Sequence, residues 1–466
     1  MDGSGNVYVT GYSYGSGTDD DYATIKYDAE GNELGVRRYN GPGNSYDGTS
    51  ALAVDGSGNV YVTGYSYGNG TDNDYATIKY DAEGNELWVR RYNGPGNSYD
   101  AAIALVVDDS GNVYVTGGSY GSGTFSDYGT IKYDPEGNEL WVRRYNGPGN
   151  YYDVVHAIAV DDSNNVYVTG NSVGEGTERD YATIKYDPEG NELWVKRYNG
   201  LGDGYDEAYA IAVDGSGNVY VTGYSFSGGT DYATIKYDTE GNEIWVKRYN
   251  GPGNDFDWAR AIAVDGSGNV YVTGLSYGNG TDNDYATIKY DAEGNEVWVR
   301  RYNGTGNSSD EARAIALDGS NNVCVTGLSC GSGTDFDYAT IKYDPDGDTI
   351  WVIRYNGPEN GYDEACAIAV DGSGNISVTG CSFGSETSYD YTTIKYVPSL
   401  CGDVNRDRSI DLSDPICLAN YYFGKPCEIG PWASDVNCDT LANLGDAIII
   451  ANYYFGKPGF ELSCCE

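Results

Sequence analysis

Along most of the chain, apolar and polar side chains alternate in short runs separated by Gly-, Asn- and Asp-rich turns. One stretch, Ala51 to Asn97, reads ALAVDGSGNVYVTGYSYGNGTDNDYATIKYDAEGNELWVRRYNGPGN. It predicts four strands. Ala51–Val54 is a short apolar strand a, and the turn Asp55-Gly56-Ser57-Gly58 leads into strand b, Asn59–Ser66. A loop rich in Gly and Asp precedes strand c, Tyr75–Tyr80, and the turn 81–85 feeds strand d, Leu87–Tyr92. Tight turns between successive strand-like runs make consecutive antiparallel hairpins. Strand c carries Ala76, Ile78 and Tyr80 on one face and Tyr75, Thr77 and Lys79 on the other. Bulk on both faces suits a sheet packed between two others.

This unit recurs. The phrase built on Val-Tyr-Val-Thr-Gly begins at Val7, Val60, Val113, Val166, Val219, Val270, Val323 and Ile376, 53 residues apart except for one interval of 51. The shortened copy loses its two residues between Gly223 and Tyr232, in the b–c loop, as expected of a surface connection. A four-stranded meander at this period is a propeller blade. The fold class is therefore an all-β propeller of four-stranded blades, with eight blades favoured and seven the alternative, followed by a small α-helical C-terminal domain. Strands b and c occur eight times but a and d only seven, because residue 1 falls inside a unit and the last unit ends after Tyr396. Met1 stands where other copies have Val54, Val213 or Val264, which suggests that the natural protein extends upstream. An upstream strand d would pair with the final a-b-c, and head-to-tail exchange of unpaired edges between chains is the competing outcome.

The repeated Gly-Asn-Val-Tyr-Val-Thr-Gly and Asp-Tyr-Ala-Thr-Ile-Lys-Tyr strands resemble the SBBP family of β-propeller repeats over roughly residues 1–397. The resemblance implies the fold and an extracytoplasmic habit, and no defined activity.

Residues 398–466 use a different vocabulary. Asp403, Asn405, Asp407, Asp411 and Asp414 place oxygen side chains at positions 1, 3, 5, 9 and 12 of a twelve-residue loop, with Ser409 at position 7 offering its backbone carbonyl. Asp435, Asn437, Asp439, Leu441, Asn443 and Asp446 repeat the pattern, Leu441 through its carbonyl. Calcium takes six to eight oxygens, and this spacing wraps them round one ion, so two Ca2+ sites are expected. Each loop runs into an apolar helical stretch ending Ala-Asn-Tyr-Tyr-Phe-Gly-Lys-Pro, at 419–426 and 451–458. The duplication resembles a type I dockerin, which implies a cohesin-like or cell-surface protein partner. Arg408 and Thr440 stand where that family has Gly, and Leu412-Ser413 differs from Leu444-Gly445 at its recognition positions. The alternative is a calcium-stabilised plug.

No cysteine precedes Cys324, four lie between Cys324 and Cys381, and six crowd the tail: Cys401, Cys417, Cys427, Cys438, Cys464 and Cys465. That clustering reads as disulfide bridging in an oxidising compartment, so the expected location is extracellular or at the cell surface, although no signal peptide opens the chain. Cys366 and Cys381 flank the turn 371–375, which allows a cross-strand bridge. Cys324 and Cys330 lie about 20 Å apart along one strand and cannot bridge.

The net charge of -42 argues against nucleic acid and anionic membranes, and no apolar run reaches the ~20 residues of a membrane span. The single histidine, His156, occupies a position filled elsewhere by Ala102, Tyr209, Arg260 or Cys366, and reads as a variable surface residue rather than a base. No catalytic residue and no further cofactor is expected. Repeated carboxylates such as Asp72 and Asp74 leave a glycoside hydrolase or lyase as the enzymatic alternative. Most of the 48 tyrosines should pack between blades, with an aromatic platform for a polysaccharide as the alternative. The leading expectation is a non-enzymatic extracellular scaffold or adhesion protein whose propeller presents a repetitive loop face and whose tail attaches it. The alternatives are a dockerin-anchored carbohydrate-active enzyme and a self-assembling filament subunit.

Overall fold

The computed structural model describes residues 1–384, 388–397, 415–418, 447 and 449–451. Two compact units divide the chain, Met1–Lys395 and Tyr396–Glu466. Among the described residues of the first, thirty strands form eight antiparallel sheets, an eight-bladed propeller. Blades 2 to 7 have four strands in the order a-b-c-d. Blade 1 is Val7–Tyr14, Asp20–Tyr27 and Glu33–Tyr39, without strand a, and blade 8 is Asp363–Val370, Ile376–Gly384 and Ser388–Tyr396, without strand d. In the second unit, residues 415–418, 447 and 449–451 are helical, directly after each of the two predicted loops.

Strand a is twice as long as its apolar run suggests: in blade 2 it is Asp47–Val54. Its first half is polar and escapes a search for apolar runs, yet Asp47 is buried because its carboxylate accepts hydrogen bonds from the amides of Gly41 (2.6 Å) and Tyr67 (3.1 Å). The same Asp opens strand a in blades 2 to 8. Successive a strands neighbour one another around the ring and line the central channel. The b–c loops and d–a connections form one face, here called upper, and the a–b and c–d turns form the lower face.

On the lower face each a–b turn is organised by one aspartate. Asp55 accepts bonds from the amides of Ser57 and Asn59 (both 2.9 Å), the Asn59 amide group (2.7 Å) and the Tyr61 hydroxyl (3.0 Å). The fourth turn residue is left-handed, Gly58 at φ 81°, and Asn164 and Asn321 replace it at 62°, as glycine and asparagine do most readily.

The core lies between blades. Tyr61, Tyr75 and Trp88 of blade 2 pack on Ala102, Val113, Val115, Ile131 and Tyr133 of blade 3. Three side chains cross the interface of blades 2 and 3: Tyr75 donates to the Gly129 carbonyl (3.1 Å), while Lys79 (3.0 Å) and Trp88 (3.1 Å) share the Pro135 carbonyl. Tyrosine hydroxyls thus end at a rim (Tyr61) or in mid-blade on a neighbour's backbone (Tyr75), rather than at rims alone. The ring closes with the same bonds. Tyr391 donates to the Tyr12 carbonyl and Lys395 to the Ala29 carbonyl, each at 2.8 Å. Blade 8 therefore packs on blade 1 by the tyrosine and lysine bonds that also join blades 2 and 3.

The four propeller cysteines are free thiols. The expected Cys366–Cys381 bridge does not form, because the register sets Cys381 opposite Glu364 and leaves Cys366 in a β-bulge. Burial pushes the Cys324 thiol up to about 12, far from the reactive thiolate range.

Candidate functional site at the channel mouth

Strand a carries a bulge at its fourth residue, so His156, Tyr209, Arg260, Arg313 and Cys366 are each an extra residue without a ladder partner. In blade 3 that residue is Ile103, so the equivalent of His156 is Ile103 and not Ala102. A bulge re-aims its side chain, here toward the channel. The second residue of strand a and the sixth of strand b flank it. These three positions vary, as do the b–c loops and d–a connections above them, whereas the core positions of the strands barely change. Blades 2 and 3 carry Gly48, Ser50, Ala101 and Ile103 at the two strand-a positions, whereas blades 5 to 8 carry Glu207, Tyr209, Trp258, Arg260, Glu311, Arg313, Glu364 and Cys366. The ring is uniform, but its channel mouth is not.

The divergent side chains touch. His156 stacks on Tyr209 at 4.7 Å between ring centroids, Tyr224 stacks on Trp258 at 5.0 Å, and Arg260 lies 4.7 Å from the Trp258 ring and 5.1 Å from that of Tyr209. Charges then alternate across blades 6, 7 and 8: Arg260 to Glu311 (2.8 Å), Glu311 to Arg313 (3.2 Å) and Arg313 to Glu364 (3.0 Å), where the Tyr362 hydroxyl also donates (2.7 Å). On the other flank Arg179 pairs with Glu207 (2.5 Å), which accepts from Tyr209 (3.0 Å). His156 is therefore not an isolated surface residue. It is half-buried, 3.4 Å from the Asn171 side chain, and burial lowers its pKa from the ordinary value, so the imidazole is neutral at physiological pH. Burial and then Glu207 raise Tyr209 to about 12. The cluster offers flat aromatic faces bordered by fixed donors and acceptors.

Around the mouth stands a crown of aromatic rings. Every exposed aromatic side chain among the described residues lies on the upper face or at the mouth beneath it, including Tyr14, Tyr46, Tyr99, Phe125, Tyr205 and Phe256. Phe125 packs at a tilt against Tyr151 (4.5 Å) and Tyr152 (4.8 Å). The exposed apolar residues of the outer strands toward the lower face are aliphatic, such as Leu87 and Leu140.

The twelve predicted calcium ligands, Asp403 through Asp414 and Asp435 through Asp446, lie outside the described residues. Among the described residues no group of three or more His, Cys, Asp or Glu side chains is placed to hold a metal. No described helix is long and apolar enough to cross a membrane.

Residues 34–70, 140–175, 193–228 and 244–280 match the SBBP β-propeller repeat. The chain carries SBBP β-propeller repeats. Each SBBP match starts in strand d of one blade and ends beyond strand b of the next, so the family unit straddles the blade interface. The SBBP chain is 24% identical over 434 residues to an uncharacterised WD repeat-containing protein of Acanthamoeba polyphaga mimivirus, covering 65% of this chain and 31% of that protein. It is 32% identical over 133 residues to the regulatory protein FlaEY of Caulobacter vibrioides, covering 25% and 13%. The chain thus spans less than a third of the length of these curated relatives. Among solved structures it is similar to a eukaryotic initiation factor (TM-score 0.42, 11% identity, 84% of this chain and 88% of that one). It is similar also to the β-propeller domain of the Trilobed protease of Pyrococcus furiosus (TM-score 0.42, 11% identity, 77% and 97%).

The bulge positions were legible as columns of variation once the seven copies of strand a are aligned. What hid them was the polar first half of that strand.

Proposed function

We propose that this protein is a non-enzymatic extracellular binding and adhesion module that holds a neutral polysaccharide at the mouth of its channel. The observation that carries the reading is the touching cluster of His, Tyr, Trp, Arg and Glu side chains that blades 4 to 8 place at the channel mouth, beneath a crown of exposed aromatics. Flat rings stack on the C–H faces of sugars, and fixed Arg–Glu pairs supply donors and acceptors for hydroxyls, as in sites lined by rings with a few placed polar groups. A net charge of -42 repels polyanions and favours an uncharged chain. Each described carboxylate of the cluster is already engaged by a guanidinium, which suits recognition better than general acid chemistry.

The C-terminal unit would attach the module through a dockerin-like, calcium-loaded fold, using Asp403 to Asp414 and Asp435 to Asp446. Calorimetric titration of the full chain should show two calcium ions bound per chain. Unchanged binding after Asp403→Ala and Asp435→Ala would refute that assignment.

The mouth is tested by retention on a panel of insoluble neutral polysaccharides. The Trp258→Ala and Arg313→Ala variants should each lose at least tenfold in affinity, while Leu87→Ala on the outer wall should bind as the parent does. Equal retention of all three would remove the mouth from the function, and retention of a protein partner alone would replace the polysaccharide.

A further inference from the structure

Strand d carries a tryptophan at its third residue in blades 2 to 7: Trp88, Trp141, Trp194, Trp245, Trp298 and Trp351. Blade 1 has Gly35 there. The register is unchanged, Gly35 opposite Lys26 as Trp88 is opposite Lys79. In blade 2 the indole is tilted against Tyr61 (6.2 Å) and Tyr133 (6.0 Å), lies 5.6 Å from Arg90, and donates to Pro135. Each of these neighbours has its counterpart between blades 1 and 2: Tyr8, Tyr80, Arg37 and the Ala82 carbonyl. Only the indole is missing. In its place is a cavity of about 280 Å³ lined by those residues with Leu34, Val60 and Gly84.

We infer that this cavity is a binding slot for a free planar heteroaromatic of indole size bearing an N–H donor. Tyr8, Val60 and Tyr80 are buried, whereas Leu34 and Arg37 are exposed, so the slot has a closed floor and an open lip. The Pro135 carbonyl receives both Lys79 and Trp88, one on each lone pair, whereas the Ala82 carbonyl receives Lys26 (2.8 Å) and keeps its second lone pair for a ligand N–H. Arg37, hydrogen-bonded to the Gly84 carbonyl, has its guanidinium over Gly84 where the Trp88 ring lies over Gly137, and on swinging aside it can cover an inserted ring as Arg90 covers Trp88. The volume sits just below the ~300 Å³ at which pockets for drug-sized ligands begin, which suits one bicyclic ring. A second observation agrees: Val36 and Arg37 are exposed in blade 1, whereas Val89 and Arg90 are half-buried beside Trp88.

A native side chain would have to displace one group, the exposed Arg37 guanidinium, which lies over Gly84 as Trp88 lies over Gly137. A Cβ at Gly35 would meet only the Arg37 guanidinium, at 3.4 Å. Calorimetric titration of the full chain with indole should give one site. Gly35→Trp should abolish it and raise the melting temperature by several degrees, and Trp141→Gly should add a second equivalent site. Gly35→Leu, which fills half the slot, should weaken binding at least tenfold and guards against failure of the cavity variant to fold. Naphthalene, which lacks the N–H, should bind at least fivefold more weakly than indole. Absence of indole binding up to its solubility, or undiminished binding by Gly35→Trp, overturns the slot. Naphthalene binding as tightly as indole overturns the hydrogen bond to Ala82, and N-acetyltryptophanamide doing so overturns the assignment to a free ring.

Discussion

Replacing Gly170 with alanine should cost about 3 kcal/mol or more and lower the melting temperature by at least about 5 °C, although it adds a single methyl group. Gly170 ends the Val-Tyr-Val-Thr-Gly phrase of blade 4, opposite the bulge of strand a. A Cβ there would stand 2.0 Å from the Val154 carbonyl oxygen and 2.7 Å from the Val155 Cα. Both are backbone atoms held in the ladder, so relief means moving strand a and with it His156. The same collision, at 1.9 to 2.0 Å, awaits at Gly64, Gly117, Gly223, Gly274, Gly327 and Gly380. Gly215, in an open turn with nothing within 4 Å of its Cβ, is the control and should change stability by less than about 0.5 kcal/mol on substitution. Urea denaturation of both variants decides the matter. Parent-like stability of Gly170→Ala would mean that the bulge is not fixed, and the channel mouth with it.

Stability should peak near pH 4 and fall as the pH rises to about 6. The strand-a aspartates Asp47, Asp100, Asp153, Asp206, Asp257 and Asp310 all have raised pKa values, because burial outweighs the hydrogen bonds they accept. Asp310 moves from 3.8 to about 6. A carboxyl that holds its proton more tightly in the folded chain contributes stability below its unfolded value, and that contribution is lost as the pH climbs through its folded value. At about 1.4 kcal/mol per pH unit, Asp310 alone accounts for a loss of about 3 kcal/mol, and the other five add in the same direction. The lower-face aspartates act oppositely. Burial would raise Asp55, Asp214 and Asp265, but bonds from Asn59, Asn218, Asn269 and their turns hold them below the usual carboxylate range, so their contribution is lost below about pH 4. Denaturant midpoints between pH 3 and 8 should trace this dome, and Asp310→Asn should flatten its alkaline side. Stability that climbs steadily from pH 4 to 7 would contradict it.

The architecture was legible because the repeat states it eight times: one copy yields the strands, the spacing yields the blades, and the shortened b–c loop confirms which connection is free to change. Blade number also came out as favoured, since eight b–c pairs need eight sheets. Less legible were features that depend on a residue's neighbour in another blade. Strand a was read at half its length because Asp47 is buried by two amide donors, not by apolar character. His156 read as a surface residue because its partners, Tyr209 and Asn171, lie 53 and 15 residues away. The Gly35 slot was written in the sequence as one departure in a column of tryptophans, but only the structure shows that Tyr8, Tyr80 and Ala82 keep the shape of the missing ring. The Cys366–Cys381 bridge was expected from symmetry about a turn, and the bulge breaks that symmetry by one residue.

The central claim is that ligand is held where the blades differ. Hydrogen–deuterium exchange of the full chain, with and without a retained neutral polysaccharide, addresses it directly. The account predicts protection confined to the upper ends of strand a and the preceding connections in blades 5 to 7, around 205–209, 256–260 and 309–313, with no change in the lower turns at 55–59 or 81–85. Protection centred on the lower turns, or spread equally over all eight blades, would contradict it.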